Sequence, residues 1–201
     1  SVDIIIHGIG AHGAYPHQGK DPIVIGAQLI NNLQTIVSRE LAPRDAGVIT
    51  VGAFHSGTKH NIISAEAHLQ LTVRSLNPRV REQLLTAIKR VAIGTARTAG
   101  IQEDSLPEVI VGEEAYPPTF NDKKLAQRLK NLLANKMGSD ALLVPNNLGM
   151  GAEDFERANA GGPAVASHHS PQFKISPEPA IKAGVEATIY ALLDLMPIDL
   201  P

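Results

Sequence analysis

The order of strand and helix patterns in residues 1–115 constrains the fold more than any other feature of the sequence. Apolar runs, β-branched runs and strict alternation predict strands at residues 2–6, 47–54, 66–74 and 108–111. Helical apolar spacing predicts one helix at residues 22–39 and a second that begins at Pro78 and is stopped by Gly100. Strand, helix, strand, strand, helix, strand is the order of a ferredoxin-like βαββαβ sandwich. We therefore expect an α+β fold with an antiparallel sheet and both helices on one face.

The two helices carry clear start signals and apolar stripes. Asp21-Pro22 and Asn77-Pro78 each combine an N-cap residue with a first-turn proline. The second helix is predicted to bury Val80, Leu84, Ile88, Val91 and Thr95. The first helix is predicted to bury Ile23, Ala27, Ile30, Leu33 and Val37.

A pair of prolines, Pro117 and Pro118, marks a change of pattern. It predicts a boundary between a domain at residues 1–115 and a second segment at residues 116–201. In this segment we expect a helix capped by Asn121, a short strand at residues 164–166 and a last helix from Pro179. These few elements are too small to bury an independent hydrophobic core. We interpret them as the C-terminal segment of an α/β domain whose first half lies elsewhere.

Composition excludes several classes of function. The net charge of -2, with both signs dispersed, gives no footprint for nucleic acid. No apolar run approaches the roughly 20 residues of a membrane span. Cysteine is absent, so disulfides and cysteine nucleophiles are excluded within these residues. A cysteine-free sequence is compatible with a cytoplasmic location.

Two histidines, His12 and His17, lie five positions apart in a glycine-rich loop between the first strand and the first helix. Imidazole serves as a proton carrier, oxyanion donor and metal ligand near neutral pH. Alternatively, both side chains could be polar loop residues that cap backbone groups. The pair favours a functional role. Between the two, His17 follows Pro16 and is expected to fix the turn, whereas His12 has small neighbours and is free to project.

Three further positions carry possible chemistry. Asn61, in the turn at residues 57–63, could donate to a developing oxyanion or make only local turn bonds. Arg74, at the end of a strand, could bind a carboxylate or be a solvated charge. His168 and His169 follow the short strand at residues 164–166, where α/β sheets place functional groups, or they could be simple strand-end residues.

Five ordered motifs resemble the dimeric metal-dependent aminoacylase/peptidase superfamily, in its N-acyl-amino-acid amidohydrolase branch, which includes hippurate and auxin-conjugate hydrolases. The first, G-x-G-[GA]-H-[GA]-A-x-P-H-x-x-x-D-P-[IV], is matched from Gly8 to Ile23. The second, G-T-x-x-N-[VI]-I-P, is matched from Gly57 to Ile63, with Ser64 in place of the proline. The others, T-V-R-[TS], M-G-[SA]-E-D-F and H-[SN]-P-x-F, are matched at residues 72–75, 150–155 and 169–173.

The resemblance implies a division of labour. Residues 1–115 correspond to a lid or dimerisation domain, and residues 116–201 to the C-terminal part of a zinc-peptidase catalytic domain. His12 and Asn61 correspond to lid residues that stabilise the oxyanion in the partner subunit's site, and Arg74 to the residue that holds the substrate carboxylate. Backbone amides near Gly149 and Gly151 would contact the substrate.

The same resemblance implies two divalent metal ions, zinc or manganese, in the full-length enzyme. Only His169 matches a metal-ligand position, so the isolated chain is expected to be inactive. The implied partners are a small N-acyl amino acid substrate and a second copy of the chain, bound through the lid. A non-catalytic dimerisation or binding module is the alternative interpretation.

Overall fold

The computed structural model describes residues 1–113, 121–139, 142, 171 and 177–196. The chain divides into two compact units, Ser1–Pro118 and Thr119–Pro201. The boundary predicted between residues 115 and 116 stays a prediction.

Within residues 1–113, the first unit contains six strands and two long helices. The strands are β1 (Val2–His7), β2 (Ala11–His12), β3 (Gly47–Ser56), β4 (Ile62–Ile63), β5 (Glu66–Ser75) and β6 (Glu108–Val111). The helices are α1 (Pro22–Thr35), which continues as a π-helical turn (Ile36–Glu40), and α2 (Pro78–Thr98); short 3₁₀ turns lie at Pro16–Gln18 and Glu103–Ser105. Four strands form an antiparallel sheet in the order β3-β5-β1-β6. The predicted α+β fold with an antiparallel sheet is confirmed, and its strand order is that of a ferredoxin-like sandwich.

The core lies between this sheet and the two helices. Alternate residues of β1 and β5 are buried, as period-two strands with one covered face require. The predicted stripe of α2 is confirmed: Val80, Leu84, Ile88 and Thr95 are buried, and Val91 packs beside them. The cap and first-turn proline of α2 are as predicted, since the Asn77 side chain accepts a hydrogen bond from the Arg79 amide.

The predicted stripe of α1 is confirmed in part: Leu33 is buried and Ile30 and Val37 pack against the core, whereas Ile23 and Ala27 do not. The helix buries Ile25, Gly26, Leu29, Leu33 and Ile36. Ile23 is 41% exposed, and Ala27 is exposed as well. The helix is apolar on its outer face too, where Val24 is 53% exposed. The buried face thus shares Leu33 with the predicted stripe, and packing on the sheet centres it on Ile25, Leu29 and Ile36.

The second unit contains α3 (Lys123–Met137) and α4 (Pro177–Leu195). The N-cap of α3 is Asp122 rather than the predicted Asn121, because the Asp122 carboxylate accepts from the Leu125 amide at 2.8 Å. The last helix begins at Pro177, slightly earlier than the predicted Pro179. The strand predicted at residues 164–166 lies outside the described residues. No helix in the described part of the chain has the length and apolar character to cross a membrane.

Candidate functional site

Two very short strands bring His12 and Asn61 together. β2 and β4 form an antiparallel ribbon in which Ala11 pairs with Ile63 and His12 with Ile62. The amide of Gly13 then donates to the carbonyl of Asn61 at 2.8 Å. We call residues 11–13 and 61–63 the donor ribbon. It continues beyond the end of the main sheet at which His7 of β1 pairs with Glu66 of β5.

A hydrogen bond from the backbone just after the donor ribbon fixes the tautomer of His12. The amide of Ala14 donates to Nδ1 of His12 at 3.1 Å. An imidazole nitrogen that accepts a hydrogen bond carries no proton, so the neutral ring holds its proton on Nε2. The side chain is exposed, with its ring centroid 5.7 Å from that of Tyr15. His12 therefore presents an N–H donor at the surface.

The base of the His12 loop is closed by backbone and side-chain contacts. Ile9 and Lys20 exchange two backbone hydrogen bonds, of 2.9 and 3.0 Å. Lys20 Nζ also donates to the Ala99 carbonyl at 3.1 Å, at the C-terminal end of α2, where a cation is favoured by the helix dipole. Gly19 leaves no room for a side chain, because a Cβ there would lie 2.7 Å from the Ile9 carbonyl oxygen. The loop is thus tied to the helical layer at a residue, Lys20, that no sequence pattern singled out.

His17 lies in the short helical turn Pro16–Gln18 and is exposed. Its ring meets that of Tyr15 edge-on, with the centroids 6.3 Å apart. Four residues after His17 the loop ends at Asp21, whose side chain accepts from the Ile23 amide at 2.9 Å and caps α1 as predicted. These contacts place His17 between His12 and the helix start.

Arg74 lies at the opposite end of the sheet. It is exposed near the end of β5, where it pairs with Val48 of β3. The eight residue steps of strand between Glu66 and Arg74 span roughly 26 Å at about 3.3 Å per residue. The structure therefore brings His12 and Asn61 together and keeps Arg74 away from both.

The remaining predicted site residues, Gly149, Gly151 and His169, lie outside the described residues. Within the described ranges, no three His, Cys, Asp or Glu side chains are arranged to hold a metal ion. This part of the chain therefore does not by itself fit a catalytic metal centre, which needs three protein ligands.

Comparisons with known proteins match most of the chain. Residues 1–98 match the family of the peptidase dimerisation domain, M20_dimer. The chain is 39% identical over 154 residues to an N-acetyldiaminopimelate deacetylase from Leuconostoc citreum, covering 77% of the chain and 38% of that protein. It is 34% identical over 154 residues to thermostable carboxypeptidase 1 from Saccharolobus solfataricus, covering 77% of the chain and 37% of that protein.

A solved structure matches as well. The structure of a tripeptidase from Staphylococcus aureus superimposes with a TM-score of 0.51 at 30% identity, covering 68% of this chain and 34% of that one. The chain thus spans well under half the length of each of these proteins.

Proposed function

We propose that the chain supplies the lid and the C-terminal part of a metal-dependent hydrolase that cleaves the amide bond of N-acyl amino acids. The match of residues 1–98 to the peptidase dimerisation domain family, M20_dimer, supports this proposal. The names of two relatives, a deacetylase of an N-acetylated compound and a carboxypeptidase, both describe amide hydrolysis. The proposal that the substrate is an N-acyl amino acid rests on the motif from Gly8 to Ile23 and on the hydrogen-bond donors and the guanidinium that the lid presents.

One observation carries the proposal: the exposed Nε2–H of His12 lies on the same ribbon as Asn61. When a nucleophile attacks an amide carbonyl, negative charge develops on the oxygen. Fixed hydrogen-bond donors that meet this charge stabilise the transition state, and loss of one donor lowers turnover by about 10²–10³. The Nε2–H of His12 and the side-chain amide of Asn61 are donors of this kind.

The separation of His12 from Arg74 determines how the site is shared. An N-acyl amino acid is much shorter than the roughly 26 Å of strand between Glu66 and Arg74. The donors His12 and Asn61 and the guanidinium of Arg74 in one lid therefore cannot bind the same substrate molecule. We infer that two lids bind each substrate molecule. His12 and Asn61 of one lid reach the substrate held in the partner subunit, and Arg74 of the partner subunit holds the carboxylate of that same substrate.

This arrangement needs a homodimer, and α1 offers the surface for it. The helix packs on β3, an edge of the described sheet, where Gly26 lies against Phe54. Its outer face exposes Ile23 and Val24. An unpaired strand edge beside an apolar helix face is a template for an isologous contact with a second lid.

Two divalent ions, zinc or manganese, complete the proposed enzyme. His169 is the one proposed metal ligand in the 201-residue sequence. The described residues present no set of three ligands, and their proposed part in the reaction is hydrogen-bond donation by His12 and Asn61. The isolated chain is expected to lack hydrolytic activity. The cytoplasm is the proposed location.

Mixing two inactive variants of the full-length enzyme tests the proposal. One variant carries His12→Ala and the other His169→Ala, and activity is measured on N-acyl amino acids after subunit exchange. Mixed dimers keep one site with both its donor and its metal ligand, so activity is expected to return. Exchange without recovery would overturn the shared site. Full activity of either variant alone would overturn the role given to its histidine, and a full-length wild type without hydrolytic activity would favour a non-catalytic dimerisation module.

A further inference from the structure

The face of the sheet that points away from α1 and α2, here called the open face, carries a pair of histidines. His55 of β3 and His68 of β5 are direct partners in the antiparallel ladder, and both are exposed. Directly opposed residues have Cβ atoms about 4.5–5.5 Å apart and lie on the same face. Both side chains line one open groove, beside Ile5 and Gln70. Two imidazoles are thus held side by side by the backbone itself.

A carboxylate fixes the ring of His68. Oε1 of Glu66 lies 3.1 Å from Nε2 of His68. An ionised carboxylate only accepts, so Nε2 holds the proton and Nδ1 keeps its lone pair. A carboxylate on the far nitrogen of a metal-binding histidine fixes its tautomer and sets the orientation of its ring. On the neighbouring strand, His7 makes the same kind of pair with Glu108 at 3.0 Å.

We propose that His55 and His68 form a surface binding site for a divalent transition-metal ion of the imidazole-preferring class, such as Zn²⁺. Neutral imidazole is a common ligand for such ions, whereas Mg²⁺ and Ca²⁺ prefer oxygen. Because the described ranges hold no cluster of three ligand side chains, the site uses two histidines, and water completes the coordination of the ion. Glu66 is a positioning residue for His68. The site is independent of the amide hydrolysis proposed above.

Titration calorimetry of the 201-residue chain with ZnCl₂ tests the site. The measurements use a background in which His168 and His169 are both replaced by Gln, which removes the other adjacent pair of histidines. We expect one zinc ion per chain. Either His55→Gln or His68→Gln is expected to weaken zinc binding by more than about tenfold, because one remaining imidazole cannot chelate. Glu66→Gln is expected to weaken zinc binding by about tenfold, because His68 loses the carboxylate that positions its ring.

His60→Gln is the matched control, since His60 is also exposed but lies outside the open face, and it is expected to leave zinc affinity unchanged. Thermal melting of each variant confirms that it folds, and His55→Asn or His68→Asn replaces any variant that does not. Absence of zinc binding would overturn the proposal. An equal loss of zinc affinity in the His60→Gln control would also overturn it. The same holds if only one of the two histidine variants loses zinc affinity, or if Mg²⁺ binds with the same affinity as Zn²⁺.

Discussion

Gly26 of α1 lies directly against the ring of Phe54 on β3, so closely that a Cβ at this position would be 2.6 Å from Cζ of the ring. We expect Gly26→Ala to destabilise the protein by about 1–3 kcal/mol, the usual cost of overpacking a filled contact. This cost outweighs the roughly 0.5–1 kcal/mol that alanine contributes over glycine inside a helix. Chemical denaturation measures the difference.

Gly94→Ala is the matched control. Gly94 lies in α2 with open space where a Cβ would be. This variant is expected to stabilise the protein by about 0.5–1 kcal/mol through helix propensity alone. Equal shifts of the same sign in both variants would contradict the close contact at Phe54.

The two loop histidines are expected to differ in what they do. In the full-length enzyme, His12→Ala should lower kcat by roughly two to three orders of magnitude with little change in KM, the effect of a lost transition-state donor. His17→Ala should change kcat less and mainly lower the melting temperature, because His17 packs on Tyr15 next to the helix start. Steady-state kinetics and thermal melting of both variants check this. The reverse ranking of the two kcat values would rule out His12 as the donor.

The outer face of α1 is expected to hold the dimer together. Val24→Asp places a charge on an apolar surface that is 53% exposed in one chain, so it should dissociate the dimer without lowering the stability of the lid. Sedimentation velocity at micromolar concentration gives the mass. Ile110→Asp, on the opposite edge strand β6, is the control and should stay dimeric. A wild-type chain that sediments as a monomer would contradict the proposed contact.

One exposed ion pair gives a pH-dependent prediction. Arg97 donates two hydrogen bonds of 2.8 Å to the Glu103 carboxylate, and these bonds hold the pKa of Glu103 below its ordinary value. The pair therefore contributes stability above the ordinary pKa of glutamate, and that contribution is lost as the pH falls through the lowered one. Because both side chains are exposed, the effect on global stability is expected to be small.

An NMR titration follows the Glu103 carboxyl carbon in the wild type and in Arg97→Gln. The midpoint should move up in the variant. The same midpoint in both proteins would show that the pair does not persist in solution.

Sequence patterns predicted the parts of this fold that repeat with a period. The alternation in β5 and the stripe of α2 identified the buried residues, because one face of each is polar. α1 has apolar residues on two faces, so spacing alone could not say that Leu29 rather than Ala27 is buried. That choice depends on the packing of Gly26 against Phe54, which lies far along the chain.

The sequence predicted the individual residues of the candidate site but not how they are arranged in space. His12 and Asn61 were recognised from their local sequence, but β2 and β4 have two residues each, too few to show a period. The distance between His12 and Arg74 follows from the register of β1 on β5, which no local pattern encodes. The anchoring of the loop by Lys20 depends on Ala99, a contact between distant segments that leaves no sequence signal.

The central position of β1 has a consequence for how the chain is made. Residues 2–7 are synthesised first in this segment, yet both neighbours of β1, at residues 66–75 and 108–111, come much later. Such pairings between distant segments form slowly, because the loop between them must close first. During translation the Ile-rich β1 strand is without its sheet partners until β5 leaves the ribosome. Over that interval its apolar side chains and unpaired backbone are exposed, which is the state of a nascent chain that chaperones protect from aggregation.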